Sequence, residues 1–207
     1  MELLERVKEI AKGAALMTET KVKTKILAGV SNLVYNETLG NVMQNNLDQL
    51  GTPEFSKEEK LYAKKYQDTL SRKDIESAYS HAGIDIVEGQ VLAESVVSGD
   101  IKPVDMGGST DVADVSWVVP TVSLWGANYA IGTPFHSWQM TAQGKSSIAI
   151  KGMTHAAMVM AATGSDLISN KNILDDAWSE HHKTIEKEGY MLPISLSASP
   201  PIKDMAF

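Results

Sequence analysis

The chain has 207 residues, 43% of them hydrophobic, with a formal net charge of −7 at pH 7 and no cysteine. The acidic balance, without any block of Lys or Arg forming a basic stripe, argues against nucleic acid or an anionic membrane surface as partner. The missing cysteine excludes disulfides, thiolate catalysis and Cys-ligated zinc within the chain, and is compatible with a reducing cytoplasm.

The length allows a sizeable core in one or two domains. The longest apolar stretch, 156–162, falls far short of the ~20 residues a bilayer crossing needs. The N-terminal MELLERVKEIAKG has the charge pattern of an amphipathic helix and not of a signal peptide, so a cytoplasmic location is expected.

Taken in chain order, Leu3, Val7, Ile10 and Ala14 recur at helical spacing and predict a first helix ending near Met17. Val22, Thr24 and Ile26 alternate with Lys21, Lys23 and Lys25, the period of a half-solvated strand. A second helix is signalled by Leu39, Val42, Met43, Leu47 and Leu50, with Asn36 as its N-cap and Gly51 and Pro53 as its stop. Ser56-Lys57-Glu58-Glu59 is a capping box opening a third helix that carries Tyr62, Tyr66 and Leu70 on one face. The periodicity is poor over 71–106, which reads as loop with short pieces of structure and makes 72–106 a candidate insertion.

Two strands are expected next, at about Trp117 to Leu124 and Ala127 to Ile131. A long helix follows from about Ser146 to Thr163, with Ala149, Met153, Ala156, Ala157 and Met160 as its core stripe and Gly164 as its terminator. A last helix, about Ile173 to Lys187, buries Leu174, Ala177, Trp178, His181 and Ile185, and the tail beyond it is Ser/Pro-rich. Helices alternating with short apolar strands suggest α/β layers.

The densest chemistry lies between Gly107 and Gly144. His136 sits in Gly132-Thr133-Pro134-Phe135-His136-Ser137-Trp138, a Gly- and Pro-fixed loop between a strand candidate and a helix candidate. One histidine alone does not make a metal site. No nucleophile elbow accompanies Ser137, and Gly144-Lys145-Ser146 lacks the upstream glycine of a phosphate loop, since position 139 is Gln139. His155 reads as a core or boundary residue, while the adjacent His181 and His182 face different sides of a helix and cannot chelate jointly.

Five blocks recur here in a specific order: Gly108-Ser109-Thr110-Asp111-Val112, Asp114-Val115-Ser116-Trp117, Pro120-Thr121, Gly132-Thr133-Pro134 and His136-Ser137-Trp138. In order and spacing they resemble the C-terminal signature of two-metal amidohydrolases of the aminoacylase and carboxypeptidase superfamily, in the p-aminobenzoyl-glutamate hydrolase branch. The resemblance runs from the first helix to about Glu188 and matches the second half of such enzymes.

It implies an α/β fold: the C-terminal part of a three-layer α/β/α metallohydrolase domain at 33–207, preceded at 1–32 by a helix–strand piece of an α+β lid. It implies hydrolysis of the amide bond of an N-acyl or N-aroyl amino acid. It makes His136 a ligand to one of two divalent metals, zinc or manganese, and assigns the general base and most other ligands to the missing half. Gly108, Ser109, Thr110, Asp111, Thr133 and Trp138 become pocket or supporting residues. Phe135 and Trp138 suit either an aryl pocket or core packing. The implied partners are a small-molecule amide, a second copy of the chain through the lid, and possibly a separate N-terminal half. The alternative is a non-catalytic fragment or subunit that needs such a partner for metal binding and activity.

Overall fold

The computed structural model describes residues 2–99, 110–194 and 202. Among the described residues there are eight helices and no strand. The chain divides into two compact units, one formed by Met1–Ser31 with Met191–Phe207 and the other by Asn32–Tyr190.

In the first unit, α1 (Glu2–Met17) carries the expected apolar stripe. None of its residues is buried, and Leu3, Val7 and Ile10 are all exposed. Pairs one turn apart, Lys8 with Glu5 at 2.8 Å and Lys12 with Glu9 at 2.7 Å, run along it. Close backbone approach is made at Gly29, where a Cβ would stand 2.6 Å from the Pro193 carbonyl oxygen.

In the second unit, α2 (Glu37–Leu50) packs against α7 (Ser147–Ser169) and α8 (Lys171–Glu188), which also touch each other. Asn36 is the N-cap of α2, as its sequence position predicts: its Oδ1 accepts from Leu39 N at 3.0 Å, and its Nδ2 donates to the Ala177 carbonyl of α8 at 2.9 Å. Glu180 of α8 also serves the start of α2, accepting from Glu37 N and Thr38 N. The predicted capping box of α3 (Lys57–Gln67) is present, and its Glu59 reaches further, to Lys151 Nζ of α7 at 2.8 Å. The unit's hydrophobic core includes Ala63, Val91, Leu92, Ala130 and Ile148, with Phe55, Tyr62 and Tyr66 packed on it.

The α/β layer architecture expected from the sequence does not hold. A strand exists only where a ladder partner takes up its backbone groups. Residues 21–26 alternate in polarity, yet every one of them is exposed, so the pattern has no buried face to exploit. The stretch 117–131 is neither strand nor ladder, and its bond from Ile131 N to the Val91 carbonyl, at 2.9 Å, is a single contact between irregular segments. Just before it, α5 (Val112–Ser116) is a short helix.

Two helical expectations also change. The poorly periodic region contains α4 (Arg72–Ala82), opened by a second capping box, Ser71 with Asp74, and closed by Gly83 in a left-handed conformation. Local capping chemistry outweighs weak apolar periodicity there. Helix α7 passes through Gly164 and stops only at Asn170, which also caps α8. Its buried stripe is Ile148, Gly152, Val159 and Thr163, about one residue, or ~100° of helix, from the stripe expected. Met153 and Met160 are exposed. Gly152 decides the rotation, because a Cβ there would meet the Ala127 carbonyl oxygen at 2.5 Å.

Candidate functional site

The His136 loop is built from its C-terminal side. Ser137 caps the short helix α6 (Trp138–Gln143): its Oγ accepts from Met140 N at 3.2 Å and donates to the Pro134 carbonyl at 2.6 Å. From the end of α6 the buried Gln143 side chain reaches back under the loop. Its Oε1 accepts from Ala130 N at 2.8 Å, and its Nε2 donates to Thr133 Oγ1 at 3.1 Å. Thr133, also buried, donates to the Ala130 carbonyl at 2.7 Å. One fully satisfied polar network thus fixes the loop's entry.

At the crest, His136 has φ of +58°, in the left-handed region that side-chain-bearing residues seldom occupy. Its side chain is exposed. Phe135 beside it packs its ring 5.6 Å from Trp125 and 6.0 Å from Tyr129, edge-on to the latter. Trp138 is exposed too, with its ring 6.2 Å from Tyr66. Among the sequence-predicted residues, then, Thr133 and His136 share one loop, and Trp138 opens the helix that follows it. Thr110 and Asp111 lie exposed at the start of α5, where Thr110 Oγ1 accepts from Val112 N at 3.3 Å and Asp111 makes no side-chain cap. Gly108 and Ser109 fall outside the described residues.

Behind the Phe135 contact lies a cavity of about 480 Å³. Trp125, Tyr129, Tyr79, Tyr35, His81 and His155 contribute to its walls, and among the described residues no Asp, Glu, Lys or Arg does. Burial alone pushes the Tyr129 phenol up from its ordinary pKa, and burial, with the charges of Glu37 and Glu180, does the same for Tyr35. Tyr79 donates to the Gln90 side chain at 2.9 Å, while His81 Nδ1 holds the Ser77 carbonyl at 2.7 Å. His155 differs. Its Nε2 is shielded from solvent and has no hydrogen-bond partner among the described residues. Gly132, the turn residue at the start of the His136 loop, is part of the same wall.

The sequence does not single out Gln143, Tyr129 or His155 for this arrangement. Gln143 has no motif to mark it, and His155 is distinguished only by what faces it across the fold.

A two-metal hydrolytic centre needs several carboxylate or imidazole donors around each ion. Among the described residues no three His, Asp or Glu side chains gather closely enough to hold one. The described residues therefore do not fit a complete metal centre, and His136 stands as a single exposed donor.

Among the described residues these features define a helical scaffold that presents an aromatic-walled cavity beside a constrained histidine loop, the kind of place that takes a small molecule. The chain is similar to one of the subunits of p-aminobenzoyl-glutamate hydrolase of Escherichia coli (strain K12), with 37% identity over 212 residues and 97% of this chain covered. It spans 44% of the length of that relative, less than half. This agrees with the resemblance carried by the residue blocks from Gly108 to Trp138. No family model matches the chain, and no solved structure matches it. No helix among the described residues is long and apolar enough to cross a membrane.

Proposed function

We propose that this chain is part of an amidohydrolase that cleaves the amide bond of N-acyl or N-aroyl amino acids such as p-aminobenzoyl-glutamate. The observation that carries this reading is the 37% identity, sustained over 97% of the chain, to a polypeptide of the hydrolase of that name. In the proposed reaction water is added across the amide: hydroxyl goes to the acyl carbon and a proton to the departing amine nitrogen.

Within that reading His136 is a donor to a divalent ion, zinc or manganese. Its exposed imidazole and the Gln143-braced loop suit the role. The remaining donors and the general base come from outside the described residues. The relative is named as a subunit, so a companion polypeptide belongs to the proposal, as does association between copies of the chain. A cytoplasmic location accords with the cysteine-free composition.

A second reading is favoured by the coverage of 44% of the relative: the chain is a non-catalytic subunit until a partner completes the site. Release of p-aminobenzoate from p-aminobenzoyl-glutamate, with manganese or zinc added, tests both. Turnover by the chain alone, lost in His136→Ala, supports the first reading. Turnover only after adding a polypeptide that corresponds to the rest of the relative supports the second. No turnover in either arrangement overturns the hydrolase assignment.

A further inference from the structure

We infer that the outward face of α7, formed by Ile150, Met153, Ala157, Met160, Gly164 and Ile168, is the docking surface for the part of the hydrolase polypeptide that this chain does not span. The inference rests on the amidohydrolase reading and deepens it, because it gives the companion polypeptide a place on this chain.

The six positions follow one another at intervals of three and four residues, so they form one stripe along the helix. It runs apart from the buried stripe of Ile148, Gly152, Val159 and Thr163. Its large members are more than half exposed, from 55% for Ile150 to 89% for Ile168. A surface helix turns a polar side to water, whereas a helix that is apolar on both sides is one that is buried on both. Lys151 and Asp166 are the only Lys, Arg, Asp or Glu in α7, and neither serves the outward stripe. Lys151 donates to Glu59 at 2.8 Å, and Asp166 accepts from Asn46 at 2.7 Å.

Gly164 is an independent observation on the same stripe. Glycine inside a helix weakens it, and among the described residues nothing here requires one: a Cβ at Gly164 would meet no atom within 4 Å. Gly152, on the buried side of the same helix, admits the backbone of Ala127, whose carbonyl oxygen a Cβ would meet at 2.5 Å. Gly164 offers the outward side the same close approach.

Length points to the occupant. The match covers 97% of this chain but 44% of the relative, so more than half of that polypeptide has no counterpart here. Permanent interfaces are the more hydrophobic ones, resembling a core cut in two, and a 23-residue helix with a second apolar side fits that description.

The test co-expresses the chain with the part of the Escherichia coli relative outside the matching stretch. Sedimentation gives the size of the product, and mass spectrometry follows methionine oxidation by hydrogen peroxide residue by residue. The expected result is a heterodimer in which Met153 and Met160 lose the reactivity that their exposure gives them in the chain alone. Gly164→Leu, which fills the close approach, and Ala157→Glu, which brings an unpaired charge into the interface, should each weaken the complex by about a hundredfold or more. Both positions face outward, so the isolated variants should unfold as the wild type does. Gly164→Leu, which raises helix propensity, keeps the test open if Ala157→Glu does not fold.

Absence of a complex overturns the inference, as does a complex in which Met153 and Met160 oxidise as before, or one that both variants form equally well. Protection of the two methionines in the chain alone at rising concentration also overturns it, by giving the face to a second copy. A complex with the expected protection that never hydrolyses p-aminobenzoyl-glutamate would sink the hydrolase reading and leave the surface standing. Turnover by the co-expressed pair that neither variant diminishes would sink only the surface.

Discussion

Phe135 packs its ring 5.6 Å from that of Trp125, and through this contact the loop that displays His136 is fastened to the wall of the cavity. Loop and cavity are thus one mechanical unit. Aromatic pairs of this kind add about 0.5–1.5 kcal/mol beyond the area they bury. Phe135→Ala is expected to lower stability by about 1–2 kcal/mol, read by urea unfolding, and to broaden the His136 resonances. An unchanged midpoint with sharp His136 signals would show that the contact holds nothing.

His136 sits at φ +58°, where a Cβ is a burden. Glycine removes that burden at the cost of a more flexible unfolded chain. His136→Gly should therefore match or exceed the wild-type stability by up to about 1 kcal/mol while losing divalent-metal affinity, whereas His136→Ala should lose the affinity without the gain. Calorimetric titration of manganese and zinc, paired with thermal unfolding, separates the two effects. A His136→Gly variant that still binds metal as wild type does would remove the donor role.

Glu59 carries a pH dependence of known sign. Its hydrogen bond from Lys151, with help from Ser147 and the Ser56 backbone, holds its pKa at about 2 against an ordinary 4.5. A carboxyl whose folded pKa is depressed contributes its stability in full above the unfolded value and loses it as pH falls toward the folded one. The α3–α7 contact should accordingly weaken between about pH 4.5 and 2. In Glu59→Gln this part of the acid transition should be missing, because the amide does not titrate. Denaturant midpoints measured across that window in both proteins give the comparison, and parallel pH profiles would be the contrary result.

Gln143 is buried and bonds Ala130 N, Thr133 Oγ1 and the Gln139 carbonyl. Replacing it by leucine keeps volume and strands the Ala130 amide, which should cost about 1–3 kcal/mol. Gln143→Glu retains the acceptor for Ala130 N but not the donor for Thr133, and the charge it buries should make it the worse of the two. A stability order with Glu above Leu would show that the acceptor for Ala130 N outweighs the cost of the buried charge.

Gly152 leaves no room for a side chain, and the neighbouring atoms are backbone and the Asn128 Cβ fixed to it, which can move only as a segment. Gly152→Ala gains helix propensity of about 1 kcal/mol but should still be net destabilising by about 1–3 kcal/mol, through overpacking against Ala127. A stabilised variant would mean that the 126–128 segment is free to move off α7.

Much of the helical content is legible in the chain. Asn36 before the α2 stripe and Ser56 three residues before Glu59 both cap as the pattern requires, because a cap is chemistry between near neighbours. The same motif at Ser71–Asp74 is hidden beneath weak periodicity, although it marks α4 just as clearly. The five blocks from Gly108 to Trp138 are likewise enough to point to the p-aminobenzoyl-glutamate hydrolase relative. The cavity is not legible: Tyr129 and His155 stand 26 positions apart in sequence, with nothing local to join them.

The sequence by itself determined where α2, α3 and α7 begin, which loop displays His136, and what the chain resembles, since each depends on residues a few positions apart. Tertiary structure alone decided that the alternating and apolar runs at 21–26 and 117–131 form no ladder. It alone turned α7 on Gly152 to bury Ile148 and Val159 and leave Met153 outside, and joined Phe135 to Trp125. The physical reason is that strand pairing and helix rotation are settled by the surface that arrives from elsewhere in the chain. A hydrophobic period can announce that a face will be buried, but only the opposing backbone, here Ala127 and Asn128, selects which one.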